Sequence, residues 1–161
     1  MRTSRLTSEI VLAAPRDEVF ALFSDVANLE ALTPAFLRFR VLTPAPIEMR
    51  RGTLIDYRLV VRGVPLPWRS EITHWLPPWR FVDRQVRGPY RLWIHEHQFE
   101  QHGGATVCRD RVTWATAGGE PVRRWLVSPD LERIFAHRRK ELARRFGEVG
   151  GEAAREVIGG G

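Results

Sequence analysis

The chain has 161 residues, 43% hydrophobic and 27% charged, with a formal net charge of +6 and one cysteine. That length makes one ordinary domain able to bury about 70% of its unfolded surface, and the composition is that of a globular protein. Cys108 alone excludes an internal disulfide and a cysteine-based zinc site, and is expected to be a small buried side chain.

The apolar run Ile10–Ala14 is too short for a signal-peptide core, and nothing reads as a transmembrane helix. The expectation is a cytoplasmic protein with no integral membrane association. Its basic excess is almost entirely arginine, Lys140 being the only lysine, and is interleaved with Asp and Glu from Arg2 to Arg155. Only Arg133–Arg145 clusters, on a predicted helix, and a solvated helix face is expected there rather than a nucleic-acid surface.

Residues 4–12 read as a first strand, with Leu6, Ile10 and Leu12 on alternate positions. Pro15, then Asp17 and Glu18, suit the start of a helix over 15–24, whose apolar face is Val19, Phe20 and Phe23. Asp25 or Asn28 caps a second short helix that stops near Thr33-Pro34. The pattern then turns to period two. Strands are predicted at 36–43, 53–62, 66–76 and 79–87, along the run that follows Gly88-Pro89 to Gln101, and at 105–116. Side chains alternate between the faces of a strand, so Trp79, Phe81, Asp83 and Gln85 share one side, as do Trp93, His95, His97 and Phe99. Cys108, Asp110, Val112 and Trp114 do the same, and Tyr57 falls with Ile55, Leu59 and Val61.

The period returns to 3.6 after Ser128, the expected N-cap, with Pro129 in the first turn. Leu131, Ile134, Phe135, Leu142 and Phe146 form an apolar stripe interrupted by Arg138, and Gly147 is a natural stop. Residues 148–161 are expected to form a flexible tail after a single domain spanning 1–147. The order predicts an α+β protein in which a seven-stranded antiparallel sheet curves around the C-terminal helix.

The motifs Pro15-x4-Phe20, Leu32-Thr33-Pro34, Pro77-Pro78-x2-Phe81-x-Asp83-x-Gln85-x2-Gly88-Pro89-Tyr90-x2-Trp93-x-His95-x-His97-x-Phe99, Asp110-x-Val112 and Ile134-Phe135-x2-Arg138 span residues 4–147. Together they resemble a small bacterial branch of the SRPBCC superfamily, the helix-grip proteins that include START lipid-binding domains, the birch-pollen allergen family and polyketide cyclase-like proteins. The resemblance implies a cavity for a hydrophobic ligand between sheet and helix. It carries over no catalytic residue.

The expected ligand-binding set is Tyr57, Trp79, Phe81, Asp83, Gln85, Trp93, His95, His97, Phe99, Asp110, Trp114, Phe135 and Arg138. Among these, His95, His97, Asp83 and Asp110 admit several readings. Buried carboxylates need partners, so these groups and Arg138 make a satisfied polar network that fixes register and helix docking. They also suit the orientation of a small hydrophobic or amphipathic ligand, or a His–Asp acid/base pair of a cyclase. A metal needs a third ligand beside His95-x-His97, which only the tertiary placement of His74, Asp83 or Asp110 supplies. No cofactor or metal is expected.

Overall fold

The computed structural model describes residues 1–159. Strand β1 (Ser4–Leu12) leads into helix α1 (Arg16–Ser24), and two 3₁₀ turns follow at Val26–Leu29 and Ala35–Leu37. The sheet continues with β2 (Arg40–Val41), β3 (Leu54–Val61), β4 (Val64–Leu76), β5 (Arg80–Arg87), β6 (Leu92–His102) and β7 (Ala105–Ala115). These seven strands pair antiparallel in the order β1-β7-β6-β5-β4-β3-β2, so only the step from β7 back to β1 departs from a meander. Helix α2 (Gly119–Val122), a π turn at Arg123–Val127 and helix α3 (Ser128–Phe146) follow, and α4 (Gly151–Gly159) ends the described chain.

The first helix starts as its residues dictate. Asp17 and Glu18 sit in the first turn of α1, and Val19, Phe20 and Phe23 are its buried face. Asp25 is the residue that caps the next turn, its carboxylate accepting the Ala27 amide at 3.0 Å.

Two expectations are corrected. Residues 36–43 are not a full strand: Arg38 takes a left-handed conformation at φ 44°, which breaks the extended run and leaves only Arg40–Val41 paired with β3. Ser128 does not cap a helix start, because its own backbone is helical and the helical path begins at Gly119. Pro129 is therefore an interior proline, lacking an amide hydrogen and crowding the carbonyl four residues before it. The wide turn immediately ahead of it absorbs that mismatch. Beyond α3 the described chain keeps contact with the sheet. Val149 donates to the Val11 carbonyl at 2.8 Å, Gly147 accepts from Ala13 at 2.9 Å, and α4 lies against β7.

The core closes solidly at one end of the sheet and stays open at the other. Ile10, Leu12, Val19, Phe20, Phe81, Phe99 and Leu142 fill the space where α1 and the end of α3 meet β1, β6 and β7. Val112, Trp114, Leu131 and Phe135 seal the middle of α3. Toward β3, β4 and β5 the sheet curves away from the helix and leaves a cavity.

Candidate functional site

The cavity measures about 380 Å³, within the range of small-molecule sites. Its sheet wall is built by alternation. Ile55, Tyr57 and Leu59 face inward from β3, and Leu66, Trp68, Ser70 and Ile72 from β4. The ladder between β4 and β5 shifts register between Ile72 and His74, a bulge that adds one residue and reverses which positions point inward. Trp75 consequently packs in the core while His74 is exposed, which removes His74 as a partner for the inner histidines.

The opposite wall comes from the helical segments. Leu131, Phe135, Arg138 and Leu142 lie at spacings of four, three and four along α3, so they share one stripe facing the sheet. Arg138 thus lies on the buried stripe instead of interrupting it. Leu126 and Val127 from the π turn, with Val122, border the cavity near Trp93 and Tyr90.

Polar groups gather at one pole. His95 and His97 are two residues apart on β6, and Asp83 is the cross-strand partner of His95 on β5. Asp110 is the partner of His97 on β7. The sheet therefore sets four ionisable side chains side by side. His95 Nε2 is 2.9 Å from Asp110 Oδ1, and His97 Nε2 is 3.1 Å from Asp83 Oδ2. His97 Nδ1 also lies 2.9 Å from Asp110 Oδ1, but off-line, so that contact is electrostatic and not a directed hydrogen bond. The two imidazoles are 3.8 Å apart between centroids, and His97 stacks on Phe81 at 4.1 Å. Arg138 sits over Phe23 at 4.9 Å, with its Nε and Nη2 buried and without a hydrogen-bond partner.

These neighbours pull protonation apart. Burial, then the nearby His97, push His95 below the usual histidine value against the pull of Asp110. Burial pushes His97 the same way, but Asp110 and Asp83 outweigh it and raise His97 above the usual value. For Asp110 burial favours the neutral acid, yet Arg138, His95 and His97 overcome it and hold the carboxyl well below the usual carboxylate range. The resulting picture is a neutral His95, a His97 inclined to carry a proton, and an ionised Asp110.

Of the residues expected to line the cavity, Tyr57, Phe81, Asp83, Trp93, His95, His97 and Arg138 do so. Phe99, Asp110, Trp114 and Phe135 are buried behind that surface. Gln85 instead clamps the β5–β6 turn, accepting the Tyr90 amide at 3.2 Å and donating to the Tyr90 carbonyl at 2.7 Å. Trp79 is misplaced by the sequence reading. It sits in the β4–β5 turn, 56% exposed, with Arg16 over its ring at 5.6 Å, because the strand starts one residue later than predicted. The main omission is Trp68, which packs edge-on against Trp93 at 5.3 Å and Tyr90 at 5.6 Å. The alternation Leu66, Trp68, Ser70, Ile72 carries the signal for it.

A curved antiparallel sheet gripping a long helix, with an aromatic cavity between them, defines a helix-grip protein of the SRPBCC superfamily. The chain belongs to the family described as polyketide cyclase / dehydrase and lipid transport, whose model matches residues 12–143. Solved structures share the fold. An aromatase/cyclase, Zhui, from a Streptomyces species is 19% identical, with a TM-score of 0.69 and 99% of each chain covered. Protein CV1439 from Chromobacterium violaceum is 17% identical at a TM-score of 0.68, covering 90% of this chain and 96% of its own. The major latex-like protein 151 of Panax ginseng is 10% identical at 0.65, covering 89% and 97%. Comparison with curated protein sequences returns no match.

Proposed function

We propose that the protein binds a small hydrophobic or amphipathic molecule in the cavity between the sheet and α3. One observation carries this reading: a space of about 380 Å³ is walled by aromatic and aliphatic side chains, with Asp83, His95, His97 and Arg138 at one pole. Such a space takes an apolar body of lipid, polyketide or aromatic type and fixes its orientation through the polar pole. Among the described residues no helix is long and apolar enough to cross a membrane, which accords with a freely diffusing carrier in the cytoplasm. A partner other than nucleic acid accords with the α3 arginines, which have neighbours of their own: Arg139 pairs with Glu148, Arg144 with Glu141, and Arg133 covers Phe36.

Native mass spectrometry of freshly purified protein, together with displacement of an apolar fluorescent probe, tests the reading. Saturable probe binding is expected, and Leu59→Trp, which places an indole in the void, is expected to abolish it without unfolding the chain. Probe binding that is absent, or unchanged by Leu59→Trp, defeats it.

A second reading has one specific support. His97 lies at the cavity wall against Asp83, an arrangement that serves general acid/base chemistry in a cyclase/aromatase-type enzyme. Under that reading His97→Gln abolishes turnover of a polyketide-like substrate while its binding persists. Turnover unaffected by the substitution rules it out.

A further inference from the structure

We propose that Asp83, His95 and His97 form a binding site for a divalent transition-metal ion on the sheet wall of the cavity. The proposal is independent of which molecule fills the rest of the space.

The three side chains each offer a ligating atom, and these atoms lie within 4.8 Å of one another. Two ligands at a tetrahedral angle about an ion 2.1 Å away lie about 3.4 Å apart, so the widest pair has to close by up to about 1.4 Å. The tightest pair, His97 Nε2 and Asp83 Oδ2 at 3.1 Å, already has the separation of two ligands set near right angles on one ion. Two imidazoles and one carboxylate form the donor set that suits iron, zinc or cobalt and leaves other coordination positions open. Here those positions open onto the cavity, because all three residues line it.

What stands behind the ligands is the stronger argument. Asp110 is buried and faces both rings, 2.9 Å from His95 Nε2 and 2.9 Å from His97 Nδ1. A carboxylate hydrogen-bonded behind a ligating histidine holds the ring's tautomer and orientation, as Asp110 does for His95, and its charge also faces His97. With Nε2 of His95 given to Asp110, its Nδ1 has no protein partner and is not among the side-chain atoms sealed by packing. The charges are compatible with a cation. Arg138 offsets Asp110, and Asp83 supplies the remaining negative charge at the cavity. Among the described residues no second cluster of ligating side chains lies away from this one.

Chelator-treated protein titrated with cobalt(II) provides the test, since a bound cobalt ion reports its ligands by visible absorption. Expected are a saturable band at one ion per chain, its loss in Asp83→Asn, and a weakening of about 10- to 100-fold in Asp110→Asn at unchanged stoichiometry. Near-UV circular dichroism establishes that each variant is folded. Zinc added to the unaltered chain, followed by NMR of the imidazole nitrogens, gives a readout that needs no variant. His95 and His97 are expected to shift while His74, His102 and His137 stay put. No saturable band, a folded Asp83→Asn that titrates like the parent, or zinc shifts confined to the other histidines overturns the proposal.

Discussion

Both faces of the sheet carry acid–base pairs, but the two rows live in different media. On the outer face Arg80 and Arg111 flank Glu96 at 2.8 and 3.6 Å, Arg84 meets Glu71 at 2.7 Å, and Arg69 meets Asp56 at 2.7 Å. Every one of those arginine side chains is at least 35% exposed. On the inner face the His95–Asp110 pair is 8% and 7% exposed. Glu96 lies between His95 and His97 in sequence, so one step along β6 separates the two media. Outside, water reaches the arginine of every pair, although Glu96 itself is only 16% exposed, and pairing adds little beyond the entropy lost in holding long side chains. Inside, each ion has left water, and its partner is what makes burial tolerable. Equal distances therefore mean unequal energies.

That contrast can be broken most severely at Asp110. Asp110→Ala removes the buried carboxylate that His95 contacts and that faces the charge of Arg138, and a loss of about 3 kcal/mol is expected by urea unfolding. The pH response follows from the same group. Asp110 is depressed in the folded state, so its contribution is complete above the unfolded carboxylate value of about 4 and disappears as pH falls through the folded value. Metal-free protein should lose stability more steeply in acid than Asp110→Asn. A smaller effect is expected at Cys108, which lies 2% exposed beside the same pole and whose thiol is pushed up to about 12, first by burial and then by Asp110. Alkylation at pH 8 should run at least about a hundredfold slower in the folded than in the unfolded chain. Smallest of all, Glu71→Ala should cost under about 1 kcal/mol; a larger loss there means the outer row is a cooperative network, and the contrast fails.

How far these faces were legible depends on how local their causes are. Alternation around Asp83, His95, His97 and Asp110 is a property of each strand alone, and the two cross-strand pairings follow once antiparallel neighbours are assumed. Arg38, by contrast, sits in a stretch whose alternation is good, and only its left-handed backbone ends the strand. Ser128-Pro129-Asp130 has every local mark of a helix start, yet the chain is already helical, because the π turn accommodates the proline. The β4 bulge likewise leaves no mark among the side chains on either side of it. The cavity was legible only through the family resemblance, since it results from sheet curvature, and no single residue encodes that.

Gln85 carries a consequence of another kind. Regular pairing between β5 and β6 ends at Arg84 and Ile94, and beyond it the Gln85 side chain gives Tyr90 one acceptor and one donor, as a peptide group would. The Gly88 backbone passes so close that a Cβ there would lie 2.4 Å from Gln85 Oε1. Peptide-to-peptide bonds elsewhere in the sheet survive almost any change of side chain, because every residue but proline brings the same backbone. The two at Tyr90 depend on a single codon. Gln85→Leu would erase both at once, and Gly88→Ala would displace the amide that makes them. The turn that carries Tyr90 to the cavity is thus held by inheritable chemistry, where the strands around it are held by chemistry common to all proteins.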